Sequence, residues 1–164
     1  MANRGTYFAA TGRIGGSISI QNLLSIENPF GSSSRVFLRR VRAQSAATAA
    51  TIVFWYKLTR TVGMPSVGTV LPAVLHSSGD FLPNAVVRSS PTAVSTGDTA
   101  SLLTPGALIT ATGDAPSNIY PVFDSDSEDD AMILDPNEAA VLIAVANLVS
   151  IDHFVDIMWS ESGL

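Results

Sequence analysis

The apolar residues of this chain come in short runs, and each run is closed by turn chemistry within a few positions. Asn28-Pro29, Gly31-Ser32-Ser33-Ser34, Gly63-Met64-Pro65, Ser77-Ser78-Gly79-Asp80, Ser89-Ser90-Pro91, Thr104-Pro105-Gly106 and Gly113-Asp114-Ala115-Pro116 punctuate it from one end to the other. Each cluster supplies the special backbone angles or side-chain bonds that turns need. No stretch has the spacing of a long amphipathic helix. A chain divided this way buries its apolar side chains as many short strands. The pattern predicts an all-β fold, an antiparallel β-sandwich of jelly-roll-like organisation.

The runs place strands near 17–26, 35–44, 51–59, 69–75, 85–88, 107–112, 119–123, 131–134 and 154–160. Strict alternation in 35–44 puts Arg35, Phe37, Arg39 and Val41 on one face and Val36, Leu38, Arg40 and Arg42 on the other. In 51–59, Ile52, Phe54, Tyr56 and Leu58 share a side, with Val53, Trp55 and Lys57 opposite, so this strand is expected to be covered on both faces. Pro121 lacks the amide a central strand needs and points to an edge or a bulge. The last run places Val155, Ile157 and Trp159 inward, with Asp156 and Ser160 outward. Asp135-Pro136-Asn137-Glu138 has the form of a helix start. The β-branched run 139–151 after it favours a turn into a buried strand. Length fits one domain. Residues 1–16, with Gly5, Gly12, Gly15 and Gly16, read as a flexible N-terminal arm, and 17–164 as the sandwich.

Charge is divided along the chain. All nine basic residues lie at or before Arg88, where only Glu27 and Asp80 oppose them, and the other twelve acids follow with no Lys or Arg among them. Such a chain either neutralises itself inside the fold or offers opposite signs to a partner. Few residues are charged for a soluble protein, so much of the exterior is Ser, Thr, Ala and Gly. A surface of that kind suits coverage by other subunits. Arg4, Arg13, Arg35, Arg39, Arg40 and Arg42 are the cationic candidates for an interface. Asp124, Asp126, Glu128, Asp129 and Asp130 are the anionic ones. Two destinations are open to the guanidinium cluster: ion pairs with the acidic half of its own chain, or an acidic partner surface.

Other classes find little support. An acidic protein with no basic stripe is a poor nucleic-acid partner. The run 139–151 is shorter than the ~20 apolar residues of a membrane helix. The first residues lack a signal peptide's apolar core, so synthesis in a cytoplasm without export by the usual route is expected. Cysteine is absent, which excludes disulfides and thiolate ligands. The acidic run lacks the Gly and final Glu of a twelve-residue calcium loop. His76 and His153 each stand near an Asp, but no nucleophile or metal motif contains them. No catalytic residue, cofactor or metal is expected. Sugar stacking would call on Trp55, Trp159 or Tyr120, and both Trp residues sit in apolar runs that suit a core.

Four stretches carry a resemblance: the Gly- and Arg-bearing start; Leu24-Ser-Ile-Glu-Asn-Pro-Phe-Gly-Ser leading into Arg35-Val-Phe-Leu-Arg-Arg-Val; Leu134-Asp-Pro-Asn-Glu-Ala; and Val155-Asp-Ile-Met-Trp-Ser-Glu161. Together they resemble the small β-sandwich proteins that decorate or cement the heads of tailed bacteriophages. The resemblance spans 17–161. It implies a non-enzymatic structural protein of the virion, a homotrimer seated between capsomers and bound to the major capsid protein. Another virion part (tail, collar, head fibre or jelly-roll capsid protein) is the alternative within that class. A carbohydrate-binding β-sandwich module is the alternative outside it.

Overall fold

A computed structural model describes residues 3–15, 20–46, 55–63, 67–91, 97–102, 119–125, 130–145 and 152–163. In chain order the strands are β1 (Asn3–Ala10), β2 (Gln21–Asn28), β3 (Ser34–Ala46), β4 (Trp55–Val62), β5 (Thr69–Leu71), β6 (Val74–Leu75), β7 (Val86–Ser89), β8 (Gly97–Leu102), β9 (Ile119–Asp124), β10 (Met132–Leu134), β11 (Glu138–Val145) and β12 (Asp152–Gly163). They form two antiparallel sheets, β10-β3-β12-β1-β6 with β9 also on β3, and β5-β7-β2-β11-β4-β8. The described residues contain no helix. The chain steps repeatedly from one sheet to the other, so the two layers fold as one β-sandwich.

The core lies between the layers. Trp159, Tyr7, Tyr56, Leu23, Leu24, Ile26, Leu38, Leu58, Leu134 and Leu142 are its largest closed-off side chains. Tyr7 and Trp159 face each other across β1 and β12 with ring centroids 5.5 Å apart. Along β12 the expected inward set holds, with Val155, Ile157 and Trp159 all buried. Ser160, expected outward, is buried as well. Pro121 lies in β9, an edge strand, beside a register shift opposite Val41 and Arg42. The sheets differ on their outer faces. In the second sheet Ser25, Glu27, Thr59, Thr61, Ala139 and Val141 are at most 1% exposed although they point away from the core. Strand β4 is therefore covered on both faces at Tyr56, Leu58, Thr59 and Thr61, while Ile52, Val53, Phe54 and the Trp55 side chain of the expected strand lie outside the described residues.

Three expectations need correction or completion. The first is the arm. Residues 3–10 are a strand, paired along its length with β12 and at Tyr7 and Phe8 with β6. The glycines that suggest flexibility include Gly5, at φ +139°, where a Cβ would lie 2.7 Å from Asp80. Gly5 thus serves close packing. The second is the face assignment in β3. Leu38 pairs with Trp159 and Arg40 with Met158, which leaves Arg39 as an extra residue in a β-bulge. The bulge resets the alternation, so Val36, Leu38, Val41 and Ala43 all reach the core. Arg35, Phe37, Arg40 and Arg42 are thereby gathered on the outer face. The third is the segment after Leu134. Glu138 Oε2 accepts the Asp135 amide at 2.8 Å, half of a helix-capping box. Asn137 then turns left-handed at φ +72° and sends the chain into β11. The expected strand at 107–112 lies outside the described residues, while β1 and β8 come from stretches that the apolar runs do not mark.

Candidate functional site

The register of the first sheet decides what its arginines meet. Strand β3 runs between β12 on one side and β9 and β10 on the other, and all three come from the acidic half. Arg40 stands opposite Asp124 of β9, and Arg42 opposite Asp156 of β12. Arg40 Nε is 3.8 Å from Asp156 Oδ1. At the ends of the same sheet, Arg35 Nε bonds Asp135 Oδ1 at 2.7 Å and Arg13 pairs with Asp152 at 2.6 Å. The structure thus brings Arg13, Arg35, Arg40 and Arg42 together with acids of their own chain. Burial raises the Asp156 pKa above its ordinary value, more than Arg40 and Arg42 lower it. The Asp156 side chain itself remains 44% exposed.

Arg4 lies in β1, and its side chain is outside the described residues, as are Asp126, Glu128 and Asp129. Asp124 and Asp130 are exposed on either side of that gap. Arg39 is half-buried at the bulge, and its carbonyl accepts the Ser125 amide at 2.8 Å. The acidic run therefore begins against the arginine strand of the same chain. One further ion pair does not follow from the charge split. Arg88 Nε reaches Glu27 Oε2 at 3.2 Å on the covered face of the second sheet, where burial raises the Glu27 pKa despite bonds from Ser25 and Arg88.

The two histidines sit at opposite ends of the sandwich. His76 is exposed near the start of β1, its ring 5.8 Å from that of Phe8. Nearby Asp80 turns instead to the Ser77 amide. His153 points inward, 4% exposed, with Nδ1 3.0 Å from the Tyr56 hydroxyl. Burial lowers its pKa from 6.5 to about 4, against a smaller opposing pull from Asp152. Among the described residues no group of three His, Asp or Glu converges as a metal site. Trp159, one candidate for sugar stacking, is fully buried.

The large apolar side chains left in solvent are not foreseeable from the sequence. Ile20, Val67, Val70 and Val74 are each more than half exposed, and so are three side chains of the turns: Phe30, Leu82 and Phe81, at 86%, 81% and 67%. All three lie at one end of the sandwich, on the β2–β3 turn and the loop after β6. Neither turn hangs loose. Asn28 Nδ2 donates to the carbonyls of Ser34 and Leu134, both at 2.9 Å. The Tyr7 hydroxyl donates to the Phe81 carbonyl at 2.9 Å. Glu161, 1% exposed, accepts the amides of Asn84 and Ala85. At the other end, Ala10, Thr11, Gln44, Phe154, Val155 and Asp156 line a half-open depression of about 170 Å³ on the first sheet's outer face. Comparison with family models, curated proteins and solved structures finds no match. No helix among the described residues is long and apolar enough to cross a membrane.

Proposed function

We propose that this chain is a non-enzymatic structural protein of a virion shell, acting as a capsid decoration or cement protein between major capsid subunits. One observation carries the reading: Phe30, Phe81 and Leu82 are held out into solvent on turns whose backbones are tied down by buried side chains. Apolar side chains fixed in place before binding lose little freedom when a partner covers them. Ion pairs within the chain take up Arg13, Arg35 and Arg40, so contact is driven chiefly by apolar burial, with the charges at the surface setting register. Many symmetric copies make individually weak contacts durable. The burial of Trp159 leaves the carbohydrate-binding alternative without one of its stacking surfaces.

The test is cosedimentation of purified protein with undecorated phage heads. Wild type should load to saturation. A Phe30→Ser, Phe81→Ser, Leu82→Ser triple variant, folded by circular dichroism, should load about tenfold more weakly, since a loss of ~1.4 kcal/mol suffices. Equal loading of the two proteins would contradict the reading.

A further inference from the structure

We infer that residues 11–15 are an acid-released strap: a proton taken up by His153 lifts Ile14 and Arg13 off the start of β12 while both sheets stay folded. The inference is independent of the proposed function.

The strap continues β1 toward the start of β12. The Thr11 amide donates to the Val155 carbonyl at 2.8 Å, and the Val155 amide donates to Thr11 Oγ1 at 2.9 Å. Ile14 and His153 exchange both backbone bonds, at 2.8 and 2.9 Å. Residues paired in this way send their side chains to the same face, and Ile14 and His153 are both buried, at 6% and 4% exposure. Arg13, on the outer side, pairs with Asp152. Gly12 and Gly15 flank Arg13 and Ile14, and both are exposed. A Cβ built on either glycine meets nothing within 4 Å. The backbone on each side of Ile14 can therefore swing without clearing a packed neighbour.

His153 stands on the seam between the sheets. Its Nδ1 is 3.0 Å from the Tyr56 hydroxyl of β4, and the two rings meet edge-on with centroids 5.7 Å apart. The titratable and charged groups around it come from several elements. Tyr56 faces it from β4, while Lys57 alternates to the far side of that strand. Arg13 of the strap and Asp152 of β12 pair with each other at the rim. From β3, Ser45 stands opposite in the register. An imidazolium in this place exchanges water for a phenol and the side chain of Ile14, and a desolvated charge is far costlier than a lost hydrogen bond. Burial outweighs the pull of Asp152, so the folded histidine has a pKa of about 4 against 6.5 in solvent. Water reaches the ring most cheaply past Ile14. The strap hangs on a few bonds and one apolar side chain, whereas β3 and β4 are each paired on both sides. The open form binds the proton that the closed form refuses. The strap is thus fully held above pH 6.5, and its hold fades from there down to pH 4.

Hydrogen exchange of the full chain, read residue by residue by NMR and corrected for intrinsic rates, tests the strap. The Ile14 and His153 amides should lose about 100-fold in protection between pH 7 and pH 4. Low urea should barely change them, which marks local opening. The Ala140 amide, in the central strand β11, should stay better protected and follow the urea slope of global unfolding. His153→Gln should abolish the pH step, and Asp152→Asn should keep it. The strap is overturned by an Ile14 amide indifferent to pH, or by one that shares the protection and urea slope of Ala140. A step that survives His153→Gln or vanishes in Asp152→Asn overturns it as well. If His153→Gln does not fold, the wild-type comparison of Ile14 with Ala140 still decides.

Discussion

Glu161 shows how much a single buried side chain organises. Its carboxylate takes donors from Ser34 Oγ, the Asn84 and Ala85 amides and Trp159 Nε1. Removing it strands several buried donors at once, so Glu161→Ala should cost about 3–5 kcal/mol in urea unfolding and Glu161→Gln about 1–2 kcal/mol. His153 makes the fold sensitive to acid. Its pKa is about 4 when folded, so the unfolded chain binds a proton that the folded one refuses between roughly pH 6.5 and 4. Stability should fall as pH drops through that window, by up to roughly 3 kcal/mol from this residue. Glu27 and Asp156, raised by burial, act with the opposite sign and gain stability on acidification. The difference between wild type and His153→Gln across the window isolates the imidazole. A constant difference would contradict the assignment. Arg13 is the contrasting case. Its pair with Asp152 leaves the guanidinium 71% exposed, and Arg13→Ala should change stability by less than about 0.5 kcal/mol. None of these roles is legible locally. A buried Glu and a solvated one have the same sequence signature, and only the strands folded around them differ.

At the level of elements, the bulge at Arg39 is the most informative feature. Nothing in the alternation along 35–44 betrays it, because a register shift is set by the neighbouring strand. The bulge leads to an unusual expectation. Deleting Arg39 restores plain alternation, keeping Val36, Leu38, Val41 and Ala43 inward, and removes the carbonyl that accepts the Ser125 amide. That deletion should fold, at a cost of about 1–2 kcal/mol. Deleting Arg42 instead turns Ala43 outward and Gln44 inward and should unfold the protein. Circular dichroism and urea titration of the two deletions separate these outcomes. Strand β1 is hidden in the sequence because its glycines resemble a tether; only Tyr7, buried on Trp159, shows its place. Truncation of residues 1–16 should therefore abolish folding rather than trim an appendage. By contrast, β12 is legible because its apolar residues alternate cleanly and the core keeps that period. The turn at 135–138 is legible too, since β-branched residues after it outweigh a partial capping box.

On the scale of the whole molecule, the division of charge along the chain becomes a means of holding the first sheet in register. The basic strand β3 lies among acidic strands, and three of the described ion pairs, Arg13–Asp152, Arg35–Asp135 and Arg40–Asp156, join the two halves. Among the described residues, one face of the second sheet is covered, and Phe30, Phe81 and Leu82 stand in solvent at one end. The sandwich class can be read from turns and short runs. The exposed turn side chains cannot, because exposure is a property of the assembled layers. Under the proposed function this exterior is there to be covered by other subunits, copies of itself included. Sedimentation equilibrium of the full chain at micromolar concentration tests that claim most directly. A closed oligomer that dissociates on dilution is the predicted result; a stable monomer across the whole concentration range would contradict it.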